Sequence, residues 1–154
     1  MREPKGVGAA LTTRRRVTLI FFVAVALNYL WELGQSPLYA GMDRFGLALW
    51  HCFVASSGDG LLVLLIFAAG RLAFGKGDWY ERPGAGGRLL TLAAGVLIGV
   101  GVEWAALRFG YWEYGAAMPY VPLTRVGAAP VAQMLLLPPL VFYIAARWGR
   151  KMGE

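Results

Sequence analysis

Four long apolar runs alternate with polar connections along the chain, at residues 17–36, 46–70, 88–109 and 127–147. Each run contains about the 20 residues that an α-helix needs to cross the hydrocarbon of a bilayer. The connections are rich in proline and glycine, which favour turns and end helices. The pattern therefore predicts an all-α, polytopic membrane protein, with four transmembrane helices in a bundle and a single domain over residues 1–154.

Composition agrees with this prediction. The chain is 58% hydrophobic and only 16% charged, which leaves too little polar surface to cover a soluble domain of this size. The net charge is +6, but the basic residues lie at the ends of the apolar runs rather than in one patch. We therefore expect contacts with membrane lipid and no binding of nucleic acid.

The uneven distribution of lysine and arginine predicts how the helices are oriented. Most of the 15 basic residues lie in the N-terminal arm, the middle connection and the C-terminal tail. These are Arg2, Lys5, Arg14, Arg15, Arg16, Arg71, Lys76, Arg82, Arg88, Arg147, Arg150 and Lys151. The other two connections, with their flanks, hold only Arg44, Arg108 and Arg125. The positive-inside rule then places both termini in the cytoplasm (N-in/C-in), and we expect a multi-pass protein of the bacterial cytoplasmic (inner) membrane.

The N-terminal run resembles a signal peptide in charge but not in length. The apolar stretch is long for the hydrophobic region of a signal, and no convincing small-residue cleavage site follows it. We therefore interpret residues 17–36 as a retained first helix.

Polar residues in the four apolar runs are predicted to lie at one depth. At 1.5 Å per residue, Glu32 on the first helix and Glu103 on the third reach about the same height in the outer half of the membrane. His51 on the second helix and Gln133 on the fourth descend to that level from outside. Asp59 lies about two turns deeper, on roughly the same helix face as His51.

Helical spacing directs these side chains into the bundle. Asn28 and Gln35 share a stripe of the first helix with its glutamate, because they are spaced i, i+4 and i+7. On the third helix, Gly95 and Gly99 continue into Glu103. Small residues at this spacing let a neighbouring helix approach closely. We therefore expect the third-helix carboxylate to face the bundle and not lipid.

Such a layer indicates chemistry. An acid at a helix centre costs about 2.5–3.5 kcal/mol on insertion scales, so these groups usually pair, face a cavity or carry function. The predicted catalytic residues are Glu32, His51, Glu103 and Asp59. We expect the two glutamates to exchange protons, the histidine to act as donor, base or metal ligand, and the aspartate to support them from below.

Six further residues are predicted to hold a substrate. They are Asn28, Gln35, Gln133, Trp31, Trp104 and Trp112. The polar members would orient the substrate. Trp31 and Trp104, beside the two glutamates, would shield a carbocation by cation–π contact.

Other interpretations of the polar layer stay open at this point. The sequence has no metal-binding spacing, so we predict no metal, but His51, Glu32 and Glu103 are the ligands if one is bound. The layer can also be structural, as hydrogen-bonded contact between helices or in an accessory subunit of a larger complex. A proton- or ion-coupled transporter or channel is a further alternative, although little polar lies below Asp59. No cofactor is indicated, and a homo-oligomer is left open.

The connections and their aromatic residues carry weaker expectations. Tyr111, Trp112, Tyr114 and Tyr120 are typical of an aromatic belt at the outer interface, with a lid over the polar layer as the alternative. The middle connection, "GKGDWYERPGAGG", does not match a phosphate-binding loop and is predicted to be flexible.

Three tryptophans and two prolines complete the expectations. Trp50, Trp79 and Trp148 are predicted to be interface anchors. Pro138 and Pro139 should kink or locally break the fourth helix, which a bundle tolerates.

Two resemblances follow from the motifs. The combination "NYLWELGQSPLY", "HC…GD", "VEW…GYWEY…MPYVP" and "APVAQMLLLPP" resembles a group of small bacterial integral membrane proteins of unassigned function. This likeness runs from the first helix to the last and implies four transmembrane helices. Glu103, Gly110, Trp112 and Tyr114 are also similar to a motif in some polytopic carotenoid-biosynthesis proteins, in which membrane carboxylates act on polyenes. The leading hypothesis is an intramembrane acid–base enzyme for a lipid-like or isoprenoid-like substrate.

Overall fold

The computed structural model describes residues 12–42 and 45–152, without the side chains of Phe45 and Leu47. Four α-helices account for most of this chain: α1 (Thr13–Gln35), α2 (Phe45–Phe74), α3 (Ala85–Phe109) and α4 (Ala128–Met152). A single 3-10 turn, Ser36–Leu38, follows α1. All four helices are long and apolar enough to cross a membrane. The predicted all-α, four-helix membrane fold is therefore confirmed.

The helix ends follow from local sequence. Thr12 caps α1, where its hydroxyl accepts from the backbone N–H of Arg15 at 3.4 Å. Ser36 and Pro37 end α1 in the 3-10 turn. Gly110 ends α3 in the left-handed conformation (φ 70°), which a residue without a side chain adopts at little cost. Of the basic residues used to predict orientation, Arg2, Lys5 and Arg44 lie outside the described residues.

The bundle is closed on three sides. α1 packs extensively against α2 and α4, and α3 packs against α4, whereas α2 and α3 have the least contact of the four neighbouring pairs. Going round the bundle, the order is therefore α2, α1, α4, α3. α2 and α3, which are the first and last helices in this order, leave a gap between them.

A tightly packed apolar core occupies the half of the bundle where α1 begins and α4 ends. Ile20, Val63, Ile66, Val141 and Ala145 are almost completely buried there. Large apolar side chains also cover the outside of the bundle, as expected for a surface in contact with lipid. They include Phe22, Leu30, Leu61, Leu65, Leu72, Leu89, Leu97 and Leu136.

The glycine stripe of α3 lies directly against the backbone of α4. A Cβ atom built on Gly95 would lie 2.1 Å from the Met134 carbonyl oxygen, and one on Gly99 would lie 3.1 Å from the Met134 Cβ. The Met134 carbonyl has no helical donor because residue 138 is a proline. The close contact therefore brings a Cα–H of Gly95 to an oxygen that the proline has left unpaired. The predicted close approach at these glycines is confirmed.

α4 continues through both prolines. Pro138 and Pro139 lie inside a single helix that runs from Ala128 to Met152. Of the expected kink or local break, the break is therefore absent, because the chain is helical at every residue of that range.

The connection between α2 and α3 corrects two predictions. Trp79 is only 7% exposed, and its indole N–H donates to the Phe67 carbonyl at 3.1 Å. Its ring lies where a side chain on Gly70 would be, with a built Cβ 2.2 Å away. Trp79 is thus a core residue and not an interface anchor, unlike Trp50 and Trp148, which are more than half exposed.

The same connection is also fixed by charge. Arg16 of α1 forms an ion pair with Glu81 at 3.2 Å, and both side chains are largely buried. Tyr80 is 2% exposed and packs edge-on against Phe67. The prediction of a flexible connection is therefore wrong, because these side chains dock it onto the end of the bundle.

Candidate intramembrane polar site

A cavity of about 700 Å³ lies in the gap between α2 and α3. Every helix contributes a polar side chain to it: Glu32 from α1, His51 and Asp59 from α2, Glu103 from α3 and Gln133 from α4. The structure therefore brings together the four residues that were predicted to lie at one depth in the membrane, and it adds the deeper Asp59. Its volume is in the range of small-molecule sites.

The rest of the lining is mostly apolar. Val54 and Leu62 of α2 face Val102 of α3, and Pro130 and Met134 of α4 form the back wall. The segments that follow α1 and α3 cover the end of the cavity that lies away from the apolar core. They contribute Tyr39, Ala40, Gly41, Met42, Tyr111 and Trp112. The cavity is thus mostly apolar, with a few polar groups on its inner wall.

Gln133 joins three helices behind the cavity. Its side-chain nitrogen donates to Asn28 Oδ1 on α1 and to Asp59 Oδ2 on α2, each at 2.8 Å. Its carbonyl oxygen accepts from Gln35 Nε2 at 2.8 Å. Gln133 is 2% exposed and Asn28 is fully buried. Because all of the hydrogen-bonding atoms of the Gln133 amide are used, the network fixes its orientation.

Gln35 connects this network to the carboxyl of α1. Its nitrogen also donates to Glu32 Oε1 at 2.8 Å, and its oxygen accepts from the Trp31 indole N–H at 3.1 Å. Asn28 in turn donates to the carbonyl of Ala24 at 2.8 Å. The stripe predicted on the first helix is therefore joined into one chain of side-chain hydrogen bonds through Gln133 of α4.

The acids of the site line one cavity together with the imidazole of His51. Glu32 and Asp59 belong to one hydrogen-bond network, because Gln35 donates to Glu32 Oε1 and to Gln133 Oε1, and Gln133 donates to Asp59 Oδ2. Among residues 12–42 and 45–152, no lysine or arginine pairs with either acid or with Glu103. No lysine or arginine therefore balances negative charge on this cluster, which favours bound protons or a cationic ligand.

Glu103 is held by the connection between α3 and α4. The Tyr114 hydroxyl donates to Glu103 Oε2 at 2.5 Å, and the Trp112 indole N–H donates to the same oxygen at 3.2 Å. The Tyr114 oxygen also accepts from the backbone N–H of Gly127 at 2.9 Å. The connection thus folds over the carboxyl, which supports the lid interpretation for Trp112 and Tyr114.

Tyr39 completes this cover and was not identified from the sequence. Its ring packs against Trp112 and Tyr114, with centroid separations of 6.4 and 5.7 Å. Backbone hydrogen bonds from Ala40 to Glu113 and from Gly115 to Leu38 join the two connections. Burial raises the pKa of Tyr39 and of Tyr114 above the ordinary value for tyrosine, and the nearby Glu103 raises both further. Both hydroxyls are therefore neutral donors at physiological pH.

The predicted substrate-binding residues divide into two groups. Trp112 and Gln133 line the cavity, whereas Asn28, Trp31 and Gln35 do not line it and contribute through the hydrogen-bond network. Trp104 does neither, because it is 62% exposed on the outer face of α3. Its predicted place beside the reacting groups is therefore wrong: the neighbouring Glu103 points inward and its own side chain points out.

Among the described residues, the structure shows no arrangement of side chains that would bind a metal ion. Within the described part of the chain, no three His, Cys, Asp or Glu side chains are grouped closely enough to hold a metal ion. His51 lines the cavity with Glu32 and Glu103 but does not form such a group with them.

The fold and the cavity define the class of protein: a multi-pass, four-helix membrane protein with a carboxyl-lined cavity between its second and third helices. No family model, no curated protein and no solved structure matches the chain.

Proposed function

We propose that the chain is an intramembrane acid–base enzyme that acts on a lipid-like or isoprenoid-like substrate in the bacterial cytoplasmic membrane. The observation that carries this proposal is the convergence of Glu32, Asp59 and Glu103 on one apolar-walled cavity. Proton donors and acceptors in a site with mostly apolar walls suit substrates that are themselves apolar. The substrate class, the membrane and the N-in/C-in orientation are all parts of the proposal.

The arrangement of the acids supports separate roles. Glu103, held by Tyr114 and Trp112, is the fixed carboxyl. Glu32 and Asp59, which Gln35 and Gln133 join in one network, hold the exchangeable proton. In an isomerisation, that proton forms a new C–H bond with the π electrons of an alkene, and a neighbouring carbon of the resulting cation loses a proton to the Glu103 carboxylate. Proton exchange with water then removes the proton from Glu103 and restores the one on the donor acids, so no other reactant is consumed.

Aromatic rings are available where such a cation would form. Trp112, Tyr39 and Tyr111 line the outer end of the cavity, and their faces attract positive charge. They replace Trp31 and Trp104 in this role. Polar side chains from α1 lie behind the cavity and fix the position of the acids.

The gap between α2 and α3 supports entry from the bilayer. These helices pack least against each other, and Val54 and Val102 on its two sides are 52% and 37% exposed. A membrane-dissolved substrate can therefore reach the cavity sideways without crossing the aqueous phase.

Deuterium incorporation tests the proposal directly. Membranes from a bacterial host that expresses the chain are incubated in heavy water, and their lipid extracts are compared by mass spectrometry. The wild type should produce a deuterium-labelled apolar product. The amount of this product should fall by at least about 100-fold in each of the variants Glu32→Gln, Asp59→Asn and Glu103→Gln, because general acid–base groups typically contribute 10²–10⁴-fold. Glu113→Gln removes an exposed acid of the connection between α3 and α4, and this variant should form as much labelled product as the wild type.

A labelled product that is equally abundant in all four variants would exclude these carboxyls from catalysis. The absence of any difference between wild-type and empty-vector extracts, across hosts rich in isoprenoids, would overturn the enzyme proposal.

A proton- or ion-coupled transporter is the second candidate, because Glu32 and Asp59 lie in one hydrogen-bonded network and Glu103 lines the same cavity. The core in the other half of the bundle argues against it. Below Asp59, the described residues at the bundle centre are apolar, including Val63, Ile66 and Val141, so no polar path continues to that end. Purified protein in liposomes loaded with a pH-sensitive dye should therefore show no proton flux above empty liposomes; a flux abolished by Asp59→Asn would favour transport instead.

A further inference from the structure

A second cavity lies at the opposite end of the bundle, away from the polar site. It is a groove of about 360 Å³ between α3 and α4, beside the docked connection. We call it the basal groove and define it by Arg88 and Leu92 of α3 and by Pro139, Tyr143 and Arg150 of α4, which all line it.

Polarity changes along the basal groove in one direction. Arg88 lies in the first turn of α3 and Arg150 in the last turn of α4, so both guanidinium groups belong to the same end. Leu92 lies one turn further along α3, and Pro139 lies about 16 Å from Arg150 along α4, at 1.5 Å per residue. The groove thus has a cationic mouth at the membrane surface and an apolar channel that leads into the hydrocarbon.

The two arginines at this mouth are not neutralised by the protein. Neither Arg88 nor Arg150 pairs with an acid in the described ranges. Glu81 also lines the groove, but its charge is balanced by Arg16 at 3.2 Å. The net charge that the described side chains present to a ligand at this mouth is therefore positive.

We propose that the basal groove binds an anionic phospholipid, with its phosphate between Arg88 and Arg150 and an acyl chain along Leu92, Pro139 and Tyr143. Arginine binds phosphate oxygens through two parallel hydrogen bonds. An acyl chain gains no energy from leaving water here, but it fills a concave surface that would otherwise lack contacts. The match of charge and polarity to a lipid is independent of the chemistry proposed for the other cavity.

Native mass spectrometry of the detergent-solubilised chain, titrated with phosphatidylglycerol or phosphatidylcholine, tests this site. The wild type should retain one phosphatidylglycerol more tightly than phosphatidylcholine. Arg88→Gln with Arg150→Gln should weaken phosphatidylglycerol binding about tenfold or more, as expected when two basic groups near an anionic headgroup are lost. The matched control, Arg71→Gln with Arg82→Gln, removes two exposed arginines that do not line the groove and should bind as the wild type does.

A second variant separates the channel from the charge. Leu92→Trp fills the groove without altering the arginines and should also displace the lipid, while a melting curve in detergent reports that the variant is folded. Equal weakening by the control pair, or tight binding retained in both groove variants, would overturn the proposal. Inorganic phosphate that competes with phosphatidylglycerol at equal concentration would also overturn it, by showing a plain anion site.

Discussion

Gln133 and Asp59 meet across 2.8 Å, where the side-chain amide of α4 donates to the carboxyl of α2. The same nitrogen also donates to Asn28 of α1, so one side chain bridges three helices at a depth where water is scarce. A polar group in this position specifies how the helices dock, because each shift along a helix axis would leave several buried atoms without partners.

Replacing Gln133 should therefore destabilise the whole bundle. Gln133→Leu leaves hydrogen-bonding atoms of Asn28, Asp59 and Gln35 without their partner, and we expect a loss of about 2–3 kcal/mol, at roughly 1 kcal/mol for each. Unfolding in increasing dodecyl sulfate, followed by circular dichroism, measures the change. Thr91→Val is the control, because this buried hydroxyl bonds only the Gly87 carbonyl of its own helix. An equal loss in both variants would show that the link between helices adds nothing.

The contact between α3 and α4 predicts a sharp difference between two glycines of one helix. Gly95→Ala places a methyl group 2.1 Å from the Met134 oxygen, so the helices must separate, at a cost of about 1–3 kcal/mol. Gly101 has open space around its Cβ position, and Gly101→Ala should be neutral or stabilise the helix by up to about 1 kcal/mol. Melting temperatures in detergent compare the two; similar values would contradict the close contact.

The cover over the cavity should depend on one hydroxyl. Tyr114→Phe removes the donor to Glu103 and the acceptor for the Gly127 N–H. We expect amide hydrogen exchange in residues 110–127 to become about 10-fold faster or more, for a local loss of roughly 1–3 kcal/mol. Tyr111→Phe changes an exposed hydroxyl in the same connection and should leave the exchange rates as they are. Unchanged protection in Tyr114→Phe would show that other contacts hold the cover.

Tyr80 predicts how stability changes at high pH. Burial raises the pKa of Tyr80 to about 12, whereas an unfolded tyrosine titrates near 10. As the pH rises from about 10 to 12, the unfolded chain loses the Tyr80 proton before the folded chain does. The free energy of unfolding, at its full value below pH 10, therefore decreases by up to about 2 kcal/mol over this range. Tyr80→Phe should lack this component of the alkaline decrease. Denaturation curves of both forms between pH 9 and 12 measure the difference, and parallel curves would contradict the prediction.

At neutral pH, the same substitution should be tolerated. The Tyr80 hydroxyl is buried without a hydrogen-bond partner in the described part of the chain, so Tyr80→Phe removes an unsatisfied polar group. We expect no loss of stability and a gain of up to about 1 kcal/mol.

The features that the sequence predicted correctly are those that depend on one helix at a time. Run length predicts a span, and i, i+4, i+7 spacing places Asn28, Glu32 and Gln35 on one stripe. Counting residues from the end of each span predicts which residues of different helices lie at the same depth, because antiparallel spans of similar length align their residues in order. This count places Glu103 and Gln133 at one level, and the structure has both of them in the same cavity.

The errors concern contacts that spacing does not encode. Trp79 lies in a glycine-rich connection, and its partners on α2 and α4 are distant in sequence, so it resembled an interface anchor. Tyr39 follows Ser-Pro in a segment without periodicity, and only the pairing of two connections brings it to the cavity. Trp104 is next to Glu103 in sequence, but consecutive residues of a helix point about 100° apart, so one faces the cavity and the other faces lipid.

The way the helices pair has a consequence for biogenesis. α1 packs on α2, and α3 packs on α4, so the chain contains two helical hairpins that can each form before they meet. Asn28, Gln35 and Asp59 belong to the first hairpin, and Gln133, which joins them, arrives only with the second. The polar site is therefore assembled by the last association event, and a chain arrested before α4 would carry its acids in the membrane without the amide that positions them.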